Sequence, residues 1–373
     1  MSTIAVNTIT DASGGSTASI NGYTPTASNM AGRNRIINGD MRIDQRGLGT
    51  QTVNSSGLYT VDRWQANQTA AGKFSVGKST TAPAGFTNSY LATSLSAYSV
   101  SSSDIFFFKQ NIEGNNVADF AWGTASAKAV TLSFWVRSSL TGTFGGSLAN
   151  SAHDRSYPFS YTISTADTWE QKSVTVAGDT TGTWLTDNGV GIQVIFGLGG
   201  GSTRGGTAGS WQASALYTAT GATSVVGTSG ATFYITGVQL EAGSVATPFE
   251  HRQYGAELQL CMRYFEKSYN VDVAPGTSAA VGVRTCSSSV GSSTDRYFGE
   301  MGFKATKRAV PDVTFYTQLG VSGALSKYSS SSTTRTISST AGSSAGGIAS
   351  YIQTTTGDSS EPYVFHFTAD AEL

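Results

Sequence analysis

KAVTLSFWVRS, residues 128–138, carries the alternation that decides the fold. Val130, Leu132, Phe134 and Val136 fall on one face of an extended chain and Thr131, Ser133, Trp135 and Arg137 on the other, the period of two that a half-buried strand requires. Runs of the same kind recur at 157–163, 169–176, 191–198 and 231–240, separated by clusters of Gly, Asn, Asp and Ser. Short strands at such intervals predict a sandwich or barrel between residues 33 and 250. Composition agrees: only 13% of the 373 residues are charged and 44 are Gly, so helix formers are scarce and turn and strand formers abundant. The fold class is all-β.

The period changes after Pro248. Tyr254, Leu258, Cys261 and Phe265 recur at spacings of four, three and four, which predicts one helix over 253–269. Its stripe of Leu258, Cys261 and Phe265 is either a seam between chains or the face that packs on its own domain. Alternation returns near 280–285, 296–303, 313–319 and 363–368, so residues 271–373 form a second, smaller β domain. The Ser, Thr and Gly tract 326–349 within it reads as long hairpins or mobile surface loops.

A net charge of −1 lacks the basic excess that phosphate neutralisation demands, so nucleic acid is not an expected partner. The longest apolar runs fall far short of the ~20 residues that cross a bilayer, and no membrane insertion is expected. Residues 1–10, MSTIAVNTIT, have no basic stretch or apolar core of a secretion signal, which predicts synthesis in a cytosol. Cys261 and Cys286 are too few for a disulfide framework or a zinc site. Residues 1–32 hold too little apolar surface for a core of their own, so Ile4, Val6 and Ile9 are expected to find burial on a partner.

Catalytic patterns are absent. His153, His251 and His366 are widely separated and begin no metal spacing, and there is neither a GxSxG elbow nor a phosphate-binding GxxxxGK[ST] loop. Residues 197–206, GLGGGSTRGG, read as a flexible hairpin loop. Glu113, Asp119, Glu170 and Glu241 are the carboxylates whose pairing in space would allow glycoside cleavage. Asp179, Asp187 and Asn188 supply oxygens of the kind that hold a structural calcium, although turn formation explains the same residues. In RNRIINGDMRIDQR, residues 33–46, arginines interleave with Asp40 and Asp44, which predicts ion pairing. Trp135 and Trp169, embedded in strands, are expected in the core or against another chain. Trp184 and Trp211 lie in Gly- and Thr-rich stretches, where an indole either packs or offers its face to a sugar ring.

Several blocks look familiar. RNRIINGDMRIDQRG (33–47), YTVDRW (59–64), TLSFWVRSSLTGTF (131–144), TWEQKSVTVAGDTTGTW (168–184), ITGVQLEAGSVATPFEHRQYGAELQLCMRYFEKSY (235–269) and the closing FHFTADAEL (365–373) resemble tail fibre and related receptor-binding proteins of tailed bacteriophages. MSTIAVNTITDASGG (1–15) resembles the leader that anchors such fibres. The resemblance implies a homotrimer with a jelly-roll, carbohydrate-binding-like domain at 33–250, a connecting helix at 251–270 and the smaller β domain beyond it. It further implies a virion location, a leader bound to another virion protein through Ile4, Val6 and Ile9, and host surface polysaccharide as partner. On that basis Trp184, Trp211 and Tyr217 are the glycan-binding candidates, and neither catalytic residues nor a cofactor are expected. A structural role as head fibre, capsid decoration or tail adaptor, and a depolymerase, are the competing expectations.

Overall fold

The structure, a computed structural model, describes residues 32–288, 295–297, 301–331, 334–341, 343–348, 351–354 and 362–373. Ile4, Val6 and Ile9 lie outside the described residues. In chain order the first strands are β1 (Gln51–Thr52), β2 (Leu58–Val61), β3 (Trp64–Gln68), β4 (Phe74–Ser79), β5 (Ser89–Ser94), β6 (Ile105–Glu113) and β7 (Val130–Ser138). They continue with β8 (Gly142–Ala149), β9 (Ser156–Ile163), β10 (Glu170–Val176), β11 (Val190–Gly200), β12 (Gly205–Gly206), β13 (Thr218–Ala219) and β14 (Thr232–Ala242).

Two antiparallel six-stranded sheets, in the orders β1-β4-β5-β14-β7-β10 and β2-β3-β6-β11-β8-β9, pack face to face as a jelly-roll sandwich. Alternation decides what lies between them. Phe134 from β7, Phe108 from β6, Phe196 from β11 and Phe233 from β14 all point inward, and Phe108 stacks on Phe196 at 5.4 Å. Trp64 is fully buried among them and donates its indole N–H to the Asn38 carbonyl. Each such ring contributes about 1.5–3 kcal/mol on burial.

Residues 33–47 form no strand, yet Ile36 and Met41 reach into this core. Their backbone is satisfied by side chains: the Asn34 amide bridges Ile36, Leu240 and Val238, and the Asn38 amide bridges Ile43 and Asp62. The expected ion pairing is present, with partners mostly outside the segment. Arg42 pairs with Asp40, Arg35 with Asp119, and Arg46 with Asp370 and Glu372.

The helix α1 (Tyr254–Met262) is shorter than the periodicity predicts. Tyr264 N–H turns back to the Cys261 carbonyl, and Phe265 already belongs to β15 (Phe265–Lys267). Phe265 therefore leaves the predicted stripe; it lies under the Arg46 guanidinium, 3.9 Å from the ring centre. Cys261 is buried with Ile37, Ile43 and Tyr264, and Leu258 packs on the same group. Of the two readings of Leu258, Cys261 and Phe265, packing on the chain's own domain is the one seen for Cys261 and Phe265, which are buried, while Leu258 stays half-buried beside them.

The remaining strands are β16 (Arg284–Ser288), β17 (Asp295–Tyr297), β18 (Met301–Gly302), β19 (Asp312–Tyr316), β20 (Ala324–Lys327), β21 (Thr334–Ala341), β22 (Gly347–Ile348), β23 (Tyr351–Thr354) and β24 (Tyr363–Asp370). Pairings β24-β16-β17-β23-β21-β20 return to β24 and close a ring, while β15 and β19 flank the other half of β24. The Ser and Thr tract supplies β20 and β21 of that ring, so its hairpin reading is the one observed. Beyond β24 the chain returns to the sandwich, where Asn111 and Tyr59 donate to the Leu373 oxygen.

Candidate functional site

Three aromatic groups stand at the edge of the sandwich core or on its outer faces, and they differ in what their rings have left to offer. The first gathers Trp184 and Trp211 around Trp122, with ring centres 4.7–5.3 Å apart and planes near 79°. In this edge-to-face trio each indole meets a neighbour's edge, and all three N–H groups are spent on the carbonyls of Lys128, Thr181 and Ala177. The adjoining space is only about 10 Å³. Asp179 anchors the loop: Arg155 donates to both of its oxygens at 2.8 and 2.7 Å, and Thr181 donates to it as well. Burial works against its ionisation, but those donors hold the carboxyl below its usual range. Trp184 and Trp211 are thus brought together as packing, not as open platforms.

Of the oxygens considered for calcium, those of Asp179 are engaged by Arg155 and Thr181. Asp187 accepts from the Gly189 N–H, and the Asn188 amide donates to the Arg308 carbonyl. Among the described residues no group of three or more His, Cys, Asp and Glu side chains comes together.

Tyr217 stands apart from the tryptophans. It lies over the outer face of the β2-β3-β6-β11-β8-β9 sheet, stacked on His153 at 5.0 Å and tilted against Phe107 at 5.0 Å. The glycines that read as a flexible loop explain its placement: Gly197 sits in β11, and a Cβ there would meet Thr218 at 2.9 Å. The loop reading of residues 197–206 is corrected at its ends, where Gly197–Gly200 belongs to β11 and Gly205–Gly206 to β12, and it holds for the turn at 201–204 between them.

The third group contains Trp135, which like Trp169 was expected in the core or against another chain. Trp135 points outward from β7, beside Gln171 of β10, and with Phe86, Phe249, His251 and Thr247 it lines an open recess of about 480 Å³. Phe86 and Phe249 meet edge to face at 5.2 Å, and Phe249 meets the exposed His251 at 4.9 Å. Two devices build it. Gly237, at φ +60 in the irregular part of β14, lets Phe86 and Trp135 close over the backbone, where a Cβ would come within 2.7 Å of the Phe86 ring and 3.1 Å of the indole. Glu241 accepts from the N–H and hydroxyl of Thr247, and Gln239 accepts from the Glu250 N–H, fixing the segment that carries Phe249. Along the same outer face Tyr234 packs on Trp169 at 6.2 Å and under the Arg137 guanidinium at 5.1 Å. The result is an aromatic strip with polar edges on the outer face of the sheet.

The four carboxylates considered for hydrolysis do not pair with one another. Arg263 and Tyr264 engage Glu113, Arg35 engages Asp119, Lys172 engages Glu170, and Thr247 engages Glu241. Parity along β7 was the signal that places Trp135 outside; nothing local announces Phe86 or Phe249 beside it.

No protein-family model matches the chain, and no curated protein matches it. Among solved structures, the chain is similar to the enzymatically active domain of tailspike protein 4 of bacteriophage CBA120, with 11% identity and a TM-score of 0.32. That match covers 56% of this chain and 21% of the other. It is also similar to the carbohydrate-binding module TmCBM61 in complex with β-1,4-galactotriose (10% identity, TM-score 0.29, 57% and 99% covered). A family 11 carbohydrate-binding module from Clostridium thermocellum in complex with a mixed-linked tetrasaccharide is similar at 12% identity and TM-score 0.28, with 54% and 98% covered.

Proposed function

We propose that the chain is a non-catalytic attachment protein of a tailed-phage virion, a tail fibre whose jelly-roll domain binds host surface polysaccharide. The observation that carries this reading is the open recess around Trp135, with its aromatic floor and its Gln171 and His251 edges. A sugar ring stacked there gains about 1 kcal/mol or more beyond area burial. The phage assignment rests on the resemblance of the sequence blocks, above all residues 235–269. Those same residues hold the recess: Gly237, Gln239, Glu241, Thr247, Phe249 and His251 all fall within that block. Homotrimeric assembly is proposed on the resemblance. Three copies would raise a weak single-site affinity through effective concentration. No cofactor is called for, and each of the four carboxylates is engaged by another side chain, which supports binding without cleavage.

The purified chain tests this. It should bind host cells and their extracted polysaccharide, compete with phage adsorption, and release no new reducing ends. A chain that binds no host polysaccharide and leaves adsorption unchanged contradicts the proposal.

A further inference from the structure

On the sheet face opposite the Trp135 recess, Lys109 forms no ion pair with a carboxylate among the described residues. Strand β6 alternates, so Phe106 and Phe108 enter the core while Phe107, Lys109 and Asn111 face outward. Several buried or half-buried cations elsewhere meet carboxylates, as Arg63 meets Glu372, Arg263 meets Glu113, Arg155 meets Asp179 and Lys307 meets Glu266, while buried Lys267 is satisfied by the two carbonyls of Val271 and Val273. Lys109 Nζ instead donates to one neutral oxygen, Gln193 Oε1, at 2.7 Å. His153 Nε2 approaches that same oxygen at 3.0 Å, and the buried His153 Nδ1 has no partner. Two basic groups thus share one amide acceptor. Burial pushes the Lys109 ammonium down to about 8, with no acidic neighbour to offset it.

The surroundings suit a saccharide. Tyr217 stacks on His153 at one side, Gln65 lies across from Lys109 in the register with β3, and Gln65 also donates to the Tyr59 hydroxyl. An ammonium with two unused donors, set among amides and beside an aromatic ring, is what a carboxylate-bearing sugar would complete.

From this juxtaposition we infer a second saccharide subsite, at Lys109, Gln193, His153 and Tyr217, that takes the carboxylate of an acidic sugar residue with Lys109 as its counter-cation. The inference deepens the polysaccharide-binding reading and rests on it. Calorimetric titration of the full chain with trigalacturonate and with its methyl ester tests it. The native chain should prefer the acid about tenfold, the scale of one charge-assisted hydrogen bond. Lys109→Met should erase the preference and Lys109→Arg should keep it, both remaining folded. Equal binding of acid and ester, or an unchanged preference in a folded Lys109→Met, overturns the inference. So does failure to bind trigalacturonate while host polysaccharide still binds; failure to bind any saccharide overturns the polysaccharide-binding reading along with it.

Discussion

Arg63 and Glu372, 309 positions apart, meet as a buried ion pair with the guanidinium 3.5 Å from the centre of the Tyr264 ring. Arg63 also donates to the Asn111 carbonyl, while Arg46 reaches Glu372 from the other side at 3.5 Å. The pair ties the sandwich, the segment after α1 and the chain beyond β24 into one joint. Removing one partner leaves a charge buried without compensation, which costs about 3–5 kcal/mol. Glu372→Gln should therefore lower the free energy of urea unfolding by that order. The double variant Arg63→Met, Glu372→Leu should recover much of the loss. A Glu372→Gln protein as stable as the native one would show that the joint contributes little.

Trp184→Ala and Trp211→Ala should act on stability, not on recognition. Each removes an edge-to-face partner of Trp122 and a satisfied indole N–H. Truncating a large aromatic in a packed cluster costs about 3–5 kcal/mol when fully buried, and these half-buried rings should lose somewhat less. Thermal melts report the loss, and polysaccharide affinity at a temperature where the variants remain folded should match the native value.

Gly237→Ala tests how the recess is built. Its positive φ disfavours any side chain, and the new Cβ would press on Phe86 and Trp135. Destabilisation of about 1 kcal/mol or more follows from the backbone alone. Polysaccharide binding should fall beyond what the stability change explains, because the two rings must part. A variant with native affinity would separate the recess from this glycine.

Burial pushes Lys109 and Lys267 down to about 8, from an ordinary value near 10.5. Between those values the unfolded chain holds more protons on these groups than the folded chain does, so their contribution to stability rises with pH across that window. Below about 8 both states carry the charge and the burial penalty is felt in full. Urea unfolding from pH 8 to 9.5 should show a less positive slope in Lys109→Met than in the native chain. Parallel slopes would contradict burial as the cause.

How far the sequence reveals this structure depends on the range of the interactions involved. Strands β7, β9, β10, β11 and β14 are legible because one buried face imposes a period of two on neighbouring residues. The end of α1 is not, since spacings of four and three continue through Phe265 while pairing of Phe265 with Asp370 decides its conformation. Parity shows that Trp135 faces away from Phe134, but strand membership alone suggests burial. Only the return of Phe249 and Phe86 over Gly237 turns that face into a recess. Likewise the indoles of Trp184 and Trp211 look like loop platforms until Trp122 and the carbonyls of Thr181 and Ala177 are seen to engage them. Lys109 is one basic residue in an apolar strand, and its lack of a carboxylate is a property of the folded neighbourhood.

The central claim is that the face carrying Trp135, and not the Trp122 cluster, receives host polysaccharide. Calorimetric titration of that polysaccharide into the native chain, Trp135→Ala and Trp184→Ala tests it most directly. Trp135→Ala should keep the native melting temperature and bind about tenfold more weakly, the loss of one stacked ring, while Trp184→Ala binds like the native chain. Native affinity in Trp135→Ala, with binding lost in a folded Trp184→Ala, would contradict the account.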